Sequence, residues 1–177
     1  MNDRAMLATS GALRERGIDV VRFNFYYTEK GSRRPDPMPK LRECYENVVA
    51  HYRPQLGGKR LIIGGRSMGA RVATMLAADG FACDALLLFA YPLHPAGRPE
   101  KLRDAHLPRI TAPVLCFNGT RDALCERDLM ERTLKNVKAR WDMHWIEGVD
   151  HSLKGERVLH EMVDAVAAWL PRVPAAR

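Results

Sequence analysis

Leu61-Ile62-Ile63-Gly64-Gly65-Arg66-Ser67-Met68-Gly69-Ala70-Arg71 is a short apolar strand that runs through Gly-x-Ser-x-Gly into a helix of small residues. This is the sequence form of a sharp strand-to-helix turn that lifts a serine hydroxyl above the edge of a sheet. Glycine is expected at 65 and 69 because a Cβ at either position would collide with the neighbouring strand or helix in so tight a turn. The chain has four serines. With glycine at about 7% of an average protein, a chance match around any of them has a probability of about 0.02. Ser67 is the expected nucleophile; the plainer reading is an ordinary glycine-rich turn.

Outward from this stretch, periodicity gives an alternating order. Residues 3–16 read as a helix capped by Asn2 or Asp3 and stopped by Gly17. Residues 19–25 (DVVRFNF) carry the β-branched and aromatic side chains a strand prefers. A loop marked by proline and glycine follows. Leu41, Cys44, Tyr45, Val48, Val49 and Tyr52 then form one amphipathic helix face. Residues 60–64 feed the serine turn, and the helix over 68–79 is apolar nearly all round, as befits one buried on a sheet. Further strands are read at 84–90, 113–118 and 140–146, the last less apolar and so nearer an edge. Helices are read at 126–137 and along a stripe from Val158 to Leu170. Strand and helix taking turns predict an α/β fold, a parallel sheet with helices on both faces. Residues 91–108, rich in proline and charge, are the one long irregular stretch and are expected partly to cover the site.

Bulk properties bound the function. A chain of 177 residues reads as a single domain, 1–177, able to bury a core without metals or disulfides. The four cysteines form no CxxC pair, and two lie in apolar patterns, so they read as buried thiols in a reducing compartment. No signal-peptide core follows Met1, and the longest apolar run is far too short to cross a bilayer. The expected setting is the cytoplasm, with no membrane partner. The net charge of +7 draws on residues 30–60, which hold eight Lys and Arg against three acids. Such a patch attracts phosphates or an acidic protein, yet no nucleic-acid motif accompanies it, so nucleic acid is not expected as a partner.

Ligands of such a sheet meet the loops beyond the carboxyl ends of the strands. Ser67 follows one strand, Asp122 another (Asn118-Gly119-Thr120-Arg121-Asp122), and His151 the last (Glu147-Gly148-Val149-Asp150-His151-Ser152). A serine hydroxyl is a poor nucleophile near neutral pH and needs an imidazole to take its proton. The imidazole needs a carboxylate to hold its tautomer. The order Ser, Asp, His is that of the α/β-hydrolase type. Asp122 has a rival role as an Asx-turn residue, and Asp150, adjacent to the histidine, reads as a turn residue. His51, His144 and His160 lie in predicted helices or strands, where packed or solvated roles are usual. His94 and His106 lie in residues 91–108 as possible substrate contacts. Tyr26, Tyr27, Arg66, Arg71 and His94 are the expected pocket-shaping residues, with Tyr26, Arg66 and His94 the expected substrate contacts among them. No pair of ligating side chains has metal-site spacing, so no metal is expected.

Gly64-Gly-Arg-Ser-Met-Gly-Ala-Arg71, Tyr91-Pro-Leu-His-Pro95, Gly119-Thr-Arg-Asp122 and Asp150-His-Ser152 together resemble the α/β-hydrolase-like family often labelled dienelactone-hydrolase-like in bacteria. Its eukaryotic relatives include a testis-expressed hydrolase-like protein and a subunit of the non-specific lethal chromatin complex. The resemblance runs from about residue 3 to 170. It implies Ser67 as nucleophile, Asp122 as acid, His151 as base, no cofactor, and small ester or lactone substrates.

In the α/β-hydrolase type two backbone N–H groups hold the oxyanion, one from the residue after the nucleophile, here Met68, the other from a loop ahead of the first helix. Here that helix starts at about residue 3. Members of the family it resembles carry a His-Gly-Ala-Gly-like segment just upstream and a strand between the equivalents of 19–25 and the elbow strand. The sheet is therefore expected to lack N-terminal strand sequence, with Met1 an internal start roughly 20 to 30 residues into the natural protein. Without that strand, the two flanking strands must pair directly or leave hydrogen bonds unmet. The resulting expectation is a serine hydrolase with a Ser-Asp-His triad. The alternatives are a catalytically inactive scaffold or interaction module of the same fold, and a polyanion binder working through residues 30–60.

Overall fold

A computed structural model describes residues 4–174. The elements follow in the order α1 (Arg4–Glu15), α2 (Tyr26–Glu29), α3 (Met38–Tyr52), β1 (Ile62–Arg66), α4 (Met68–Ala78), β2 (Ala85–Phe89), β3 (Val114–Gly119), α5 (Arg127–Leu134), β4 (Trp141–Ile146) and α6 (Glu156–Trp169). The expected caps Asn2 and Asp3 lie outside the described residues, as does the proposed origin of the chain upstream of Met1. The four strands form one parallel sheet in the order β1-β2-β3-β4. β4 lies at an edge, where its weaker apolar pattern belongs.

The two central strands are apolar without a break because both their faces are covered. Leu86 and Leu88 of β2, with Val114 and Cys116 of β3, join the core that holds Leu41, Tyr45, Leu76 and Met130 of α3, α4 and α5. Ala85 and Phe89, with Leu115 and Phe117, join the opposite core, made with Leu13 of α1 and Val158, Met162, Val163 and Val166 of α6. Alternation of side chains along a strand produces this division.

The expected strand over 19–25 is corrected by the structure: these residues have no strand partner, and Val21 is exposed. The cause lies at the outer edge of β1. There the Tyr45 hydroxyl, carried in by α3, donates to Gly64 O at 2.6 Å and accepts from Gly64 N–H at 2.7 Å. One buried hydroxyl thus meets a donor and an acceptor that a strand would otherwise pair. Phe23 packs edge-on against the Tyr45 ring at 5.0 Å, and Phe25 enters the core, so residues 19–25 contribute packing in place of a ladder. Strand propensity measures fitness for a pleated, half-buried surface, and without a partner it does not make a strand.

Candidate active site

Three loops at the carboxyl edge of the sheet bring Ser67, His151 and Asp122 into one hydrogen-bonded run. His151 Nε2 lies 2.9 Å from Ser67 Oγ, and His151 Nδ1 lies 2.8 Å from Asp122 Oδ2. Asp122 is a carboxylate acceptor, which assigns the ring proton to Nδ1 and leaves Nε2 to accept from the serine hydroxyl. The acid is sealed, with its side chain 0% exposed, whereas the imidazole is 27% exposed and so open to a ligand.

Ser67 occupies the position just before α4 with φ 51° and ψ −108°, a region that a side-chain-bearing residue seldom enters and that marks functional turns. Its N–H extends the ladder to Phe89 O at 2.9 Å, and its carbonyl starts α4 by accepting from Arg71 N–H at 3.1 Å. Gly65 takes φ +151°, and a Cβ there would stand 3.0 Å from the backbone of Gly69. The expectation for Gly69 is corrected: a Cβ on it meets nothing within 4 Å. The steric demand falls instead on Gly64, whose Cβ would come within 1.9 Å of Leu87 O.

The Asp122 and His151 loops are built as a unit. Arg121 N–H donates to Val149 O at 2.9 Å, Thr120 N–H to Ile146 O at 3.0 Å, and Gly148 N–H to Thr120 Oγ1 at 2.9 Å. Gly119 permits this approach, since a Cβ there would lie 2.0 Å from Val149 O. Asp150 is a turn residue: its carboxylate accepts from Ser152 N–H at 2.8 Å, and the Ser152 hydroxyl bond first and that N–H next hold its pKa below the usual carboxylate range. Leu124 N–H donates to Asp122 Oδ1 at 2.9 Å.

Asn118 escaped the sequence reading. It is fully buried, and its Nδ2 donates to Asp122 Oδ2 at 3.1 Å and to Tyr91 O at 3.2 Å while Oδ1 accepts from Tyr91 N–H at 3.1 Å. One signal was available: a carboxamide closing the apolar run PVLCFN has to find buried partners.

The expected pocket residues fare differently. His94 is 1% exposed, with Nδ1 bonded to Pro95 O at 3.0 Å and Nε2 accepting from Glu126 N–H at 3.3 Å. Both ring nitrogens are thus engaged with backbone, which corrects its reading as a substrate contact: it ties residues 91–108 to the start of α5. His106 Nε2 meets Thr74 Oγ1 at 2.9 Å. Arg66 Nη2 donates to His151 O at 3.1 Å and so braces the His151 loop. Tyr26 is exposed at the start of α2, with Lys40 Nζ 5.9 Å from its ring centroid. Met68 opens α4, where a backbone N–H has no acceptor within the helix. Among the described residues, no group of three or more His, Cys, Asp or Glu is placed to hold a metal ion, and no helix is long and apolar enough to cross a membrane.

Comparison with known proteins agrees with this fold. A family model described as an alpha/beta hydrolase domain matches residues 1–168. The chain is similar to the structure of an alpha-beta serine hydrolase homologue from Coxiella burnetii, at 20% identity and TM-score 0.76 over 96% of this chain and 77% of that one. It is similar to a serine hydrolase without a lid from Xanthomonas campestris, at 22% identity and TM-score 0.74 over 100% and 77%. A dienelactone hydrolase from Anabaena variabilis aligns at 16% identity and TM-score 0.70 over 97% and 80%. At these identities the structural likeness speaks for the fold.

Proposed function

The chain belongs to the alpha/beta hydrolase family, and from that premise we propose that it is a serine hydrolase transferring the acyl group of a small ester or lactone to water. The observation carrying this reading is the unbroken run from Ser67 Oγ through the His151 imidazole to the Asp122 carboxylate, with steps of 2.9 and 2.8 Å. As Oγ attacks the carbonyl carbon, Nε2 takes its proton, and Asp122 holds the imidazolium in place. The Met68 N–H donates to the oxyanion. His151 then returns the proton to the leaving alkoxide, and water repeats the sequence on acyl-Ser67. Acyl transfer by this route calls on no metal or organic cofactor. Tyr26 and Arg66 are assigned to the rim that a substrate meets. We assign the chain to the cytoplasm as one domain, in keeping with its four thiols, three of them buried.

Labelling with a fluorophosphonate, followed by intact mass, tests the assignment. The wild-type protein is expected to gain one adduct and Ser67→Ala none, with His151→Ala slowed at least a hundredfold. Wild type reacting no faster than Ser67→Ala would show a binding scaffold of the same fold.

A further inference from the structure

We propose that Arg66 is a positioning residue for the second half of the reaction: it holds His151 at the serine turn while Ser67 carries the acyl group. The inference rests on the hydrolase reading above. Arg66 and Ser67 are consecutive, and they grip the two ends of one histidine. Ser67 Oγ meets the ring at Nε2, 2.9 Å away, and Arg66 Nη2 donates to the main-chain carbonyl at 3.1 Å. Among the described residues no backbone N–H meets that carbonyl. Arg66 ends β1 in register with Phe89 of β2, so the sheet fixes the backbone from which its side chain reaches.

The remaining hydrogen bonds of the His151 loop lead elsewhere. Arg121 N–H to Val149 O, Gly148 N–H to Thr120 Oγ1 and His151 Nδ1 to Asp122 Oδ2 tie it to the Asp122 loop. Arg157 Nη2, from α6, donates to Glu147 O at 3.2 Å. The N–H groups of Ser152 and Leu153 turn back on Asp150. Leu153 is 3% exposed and shares a core with Phe89 and Ala90, but apolar packing is non-directional and does not aim a ring. Among the described residues, the hydrogen bonds that join residues 147–153 to β1 or to the turn after it are therefore those of Ser67 and Arg66.

The two bonds have different fates during turnover. In the free enzyme the Ser67 hydroxyl donates to Nε2 and sets the spacing itself. Attack moves that proton to Nε2, and the departing alkoxide carries it off as an alcohol. Ser67 Oγ is then an ester oxygen with no hydrogen to donate, and the ring has lost its tie to the serine. The Arg66 bond is untouched by these steps. In deacylation a water oxygen bonds to the acyl carbon as Nε2 takes the water's proton. The tetrahedral intermediate then expels Ser67 Oγ, which recovers the proton from Nε2, and the carboxylic acid leaves. Water has no covalent tie to the protein, so Nε2 must hold its place, and a displacement near 1 Å costs about a hundredfold in rate. A charged donor suits this brace, because its hydrogen bond to a carbonyl is roughly twice as strong as a neutral one.

The test separates the two half-reactions. With p-nitrophenyl acetate in quenched flow, nitrophenolate release reads acylation, and intact mass reads acetyl-enzyme formed and lost. Arg66→Met is expected to slow loss of the acetyl group about tenfold or more, and acylation less than about threefold. Acetyl-enzyme then accumulates above its wild-type level. Fluorophosphonate labelling, which needs the first half alone, is expected to stay within about threefold of wild type, a split that a general loss of packing does not produce. Arg66→Lys keeps the charge with a different reach and is expected to slow deacylation by an intermediate factor. If the thermal midpoint shows Arg66→Met to be unfolded, Arg66→Lys decides: deacylation slowed about threefold or more with acylation unchanged supports the proposal. Equal slowing of both halves, or deacylation unmoved in the folded variants, overturns it while the hydrolase reading stands. Wild type that takes up neither acetyl nor phosphonate overturns the hydrolase reading, and this proposal falls with it.

Discussion

Asn118 closes β3 with its carboxamide divided between Asp122 and both backbone groups of Tyr91, a residue that is itself fully buried. Truncation to Asn118→Ala leaves the Tyr91 N–H and C=O without partners away from water, each worth about 1–3 kcal/mol. A stability loss of about 2 kcal/mol or more is expected in the urea midpoint. The same change frees Asp122 to rotate, so kcat should fall about tenfold with KM little altered. Equal loss in kcat and in stability-matched controls elsewhere in the core would reduce Asn118 to packing. His106 makes a different residue-scale prediction. Burial first, then the Arg71 and Arg109 charges, lower its pKa from 6.5 to about 4, against the opposing pull of Asp79 and Asp104. In the unfolded chain the imidazole takes its proton below 6.5, in the fold only near 4. Between those values the unfolded chain binds more protons, so stability falls as pH falls. With its partial exposure discounted, the effect is about 1–2 kcal/mol. Urea midpoints between pH 7 and 4 should therefore decline less steeply in His106→Gln than in wild type.

At the scale of elements, the pairing of the Asp122 and His151 loops depends on Gly119. A methyl group there meets the backbone carbonyl of Val149 at 2.0 Å, and backbone on both sides leaves no flexible atom to yield. Gly119→Ala is expected to push the His151 loop off the Asp122 loop, and a displacement near 1 Å at a reacting group costs about a hundredfold in rate. Ester hydrolysis and phosphonate labelling should both fall by that order while far-UV circular dichroism keeps its helical signal. Full activity in this variant would show that the two loops are not coupled through their backbones. These elements differ in how far the sequence disclosed them. β2 and β3 were readable because burial on both faces leaves an uninterrupted apolar run. The serine turn was readable because glycine and serine spacing follows from its geometry. Residues 19–25 carried an equally good strand pattern and formed no strand, because a ladder depends on a neighbour that no local pattern specifies. Gly64 and Gly119 are visible as glycines, but the carbonyls that demand them belong to residues 87 and 149. His94, among prolines and charges, read as a possible substrate contact. Its burial follows from the packing of Tyr91 and Leu93, both 0% exposed.

For the molecule as a whole, the Tyr45 hydroxyl acts where the sheet ends. β1 pairs only with β2 among the described residues, and an open strand edge is a template for pairing with another chain. The hydroxyl occupies both backbone groups of Gly64 on that edge. Tyr45→Phe keeps the ring and its packing with Phe23 but withdraws both bonds beside the serine turn. Two groups left unmet predict a loss of about 2 kcal/mol or more. They also predict association through the edge left unpaired at Gly64. That association opposes a net charge of +7, which repels like molecules at low ionic strength and is screened beyond about 8 Å at 0.15 M salt. Tyr45→Phe should therefore remain monomeric in dilute buffer and gain mass by light scattering as salt is raised, while wild type does not. A variant with an unchanged urea midpoint and no salt-dependent mass would mean that water serves Gly64 as well as the tyrosine does, and that the edge is guarded by the chain running past it.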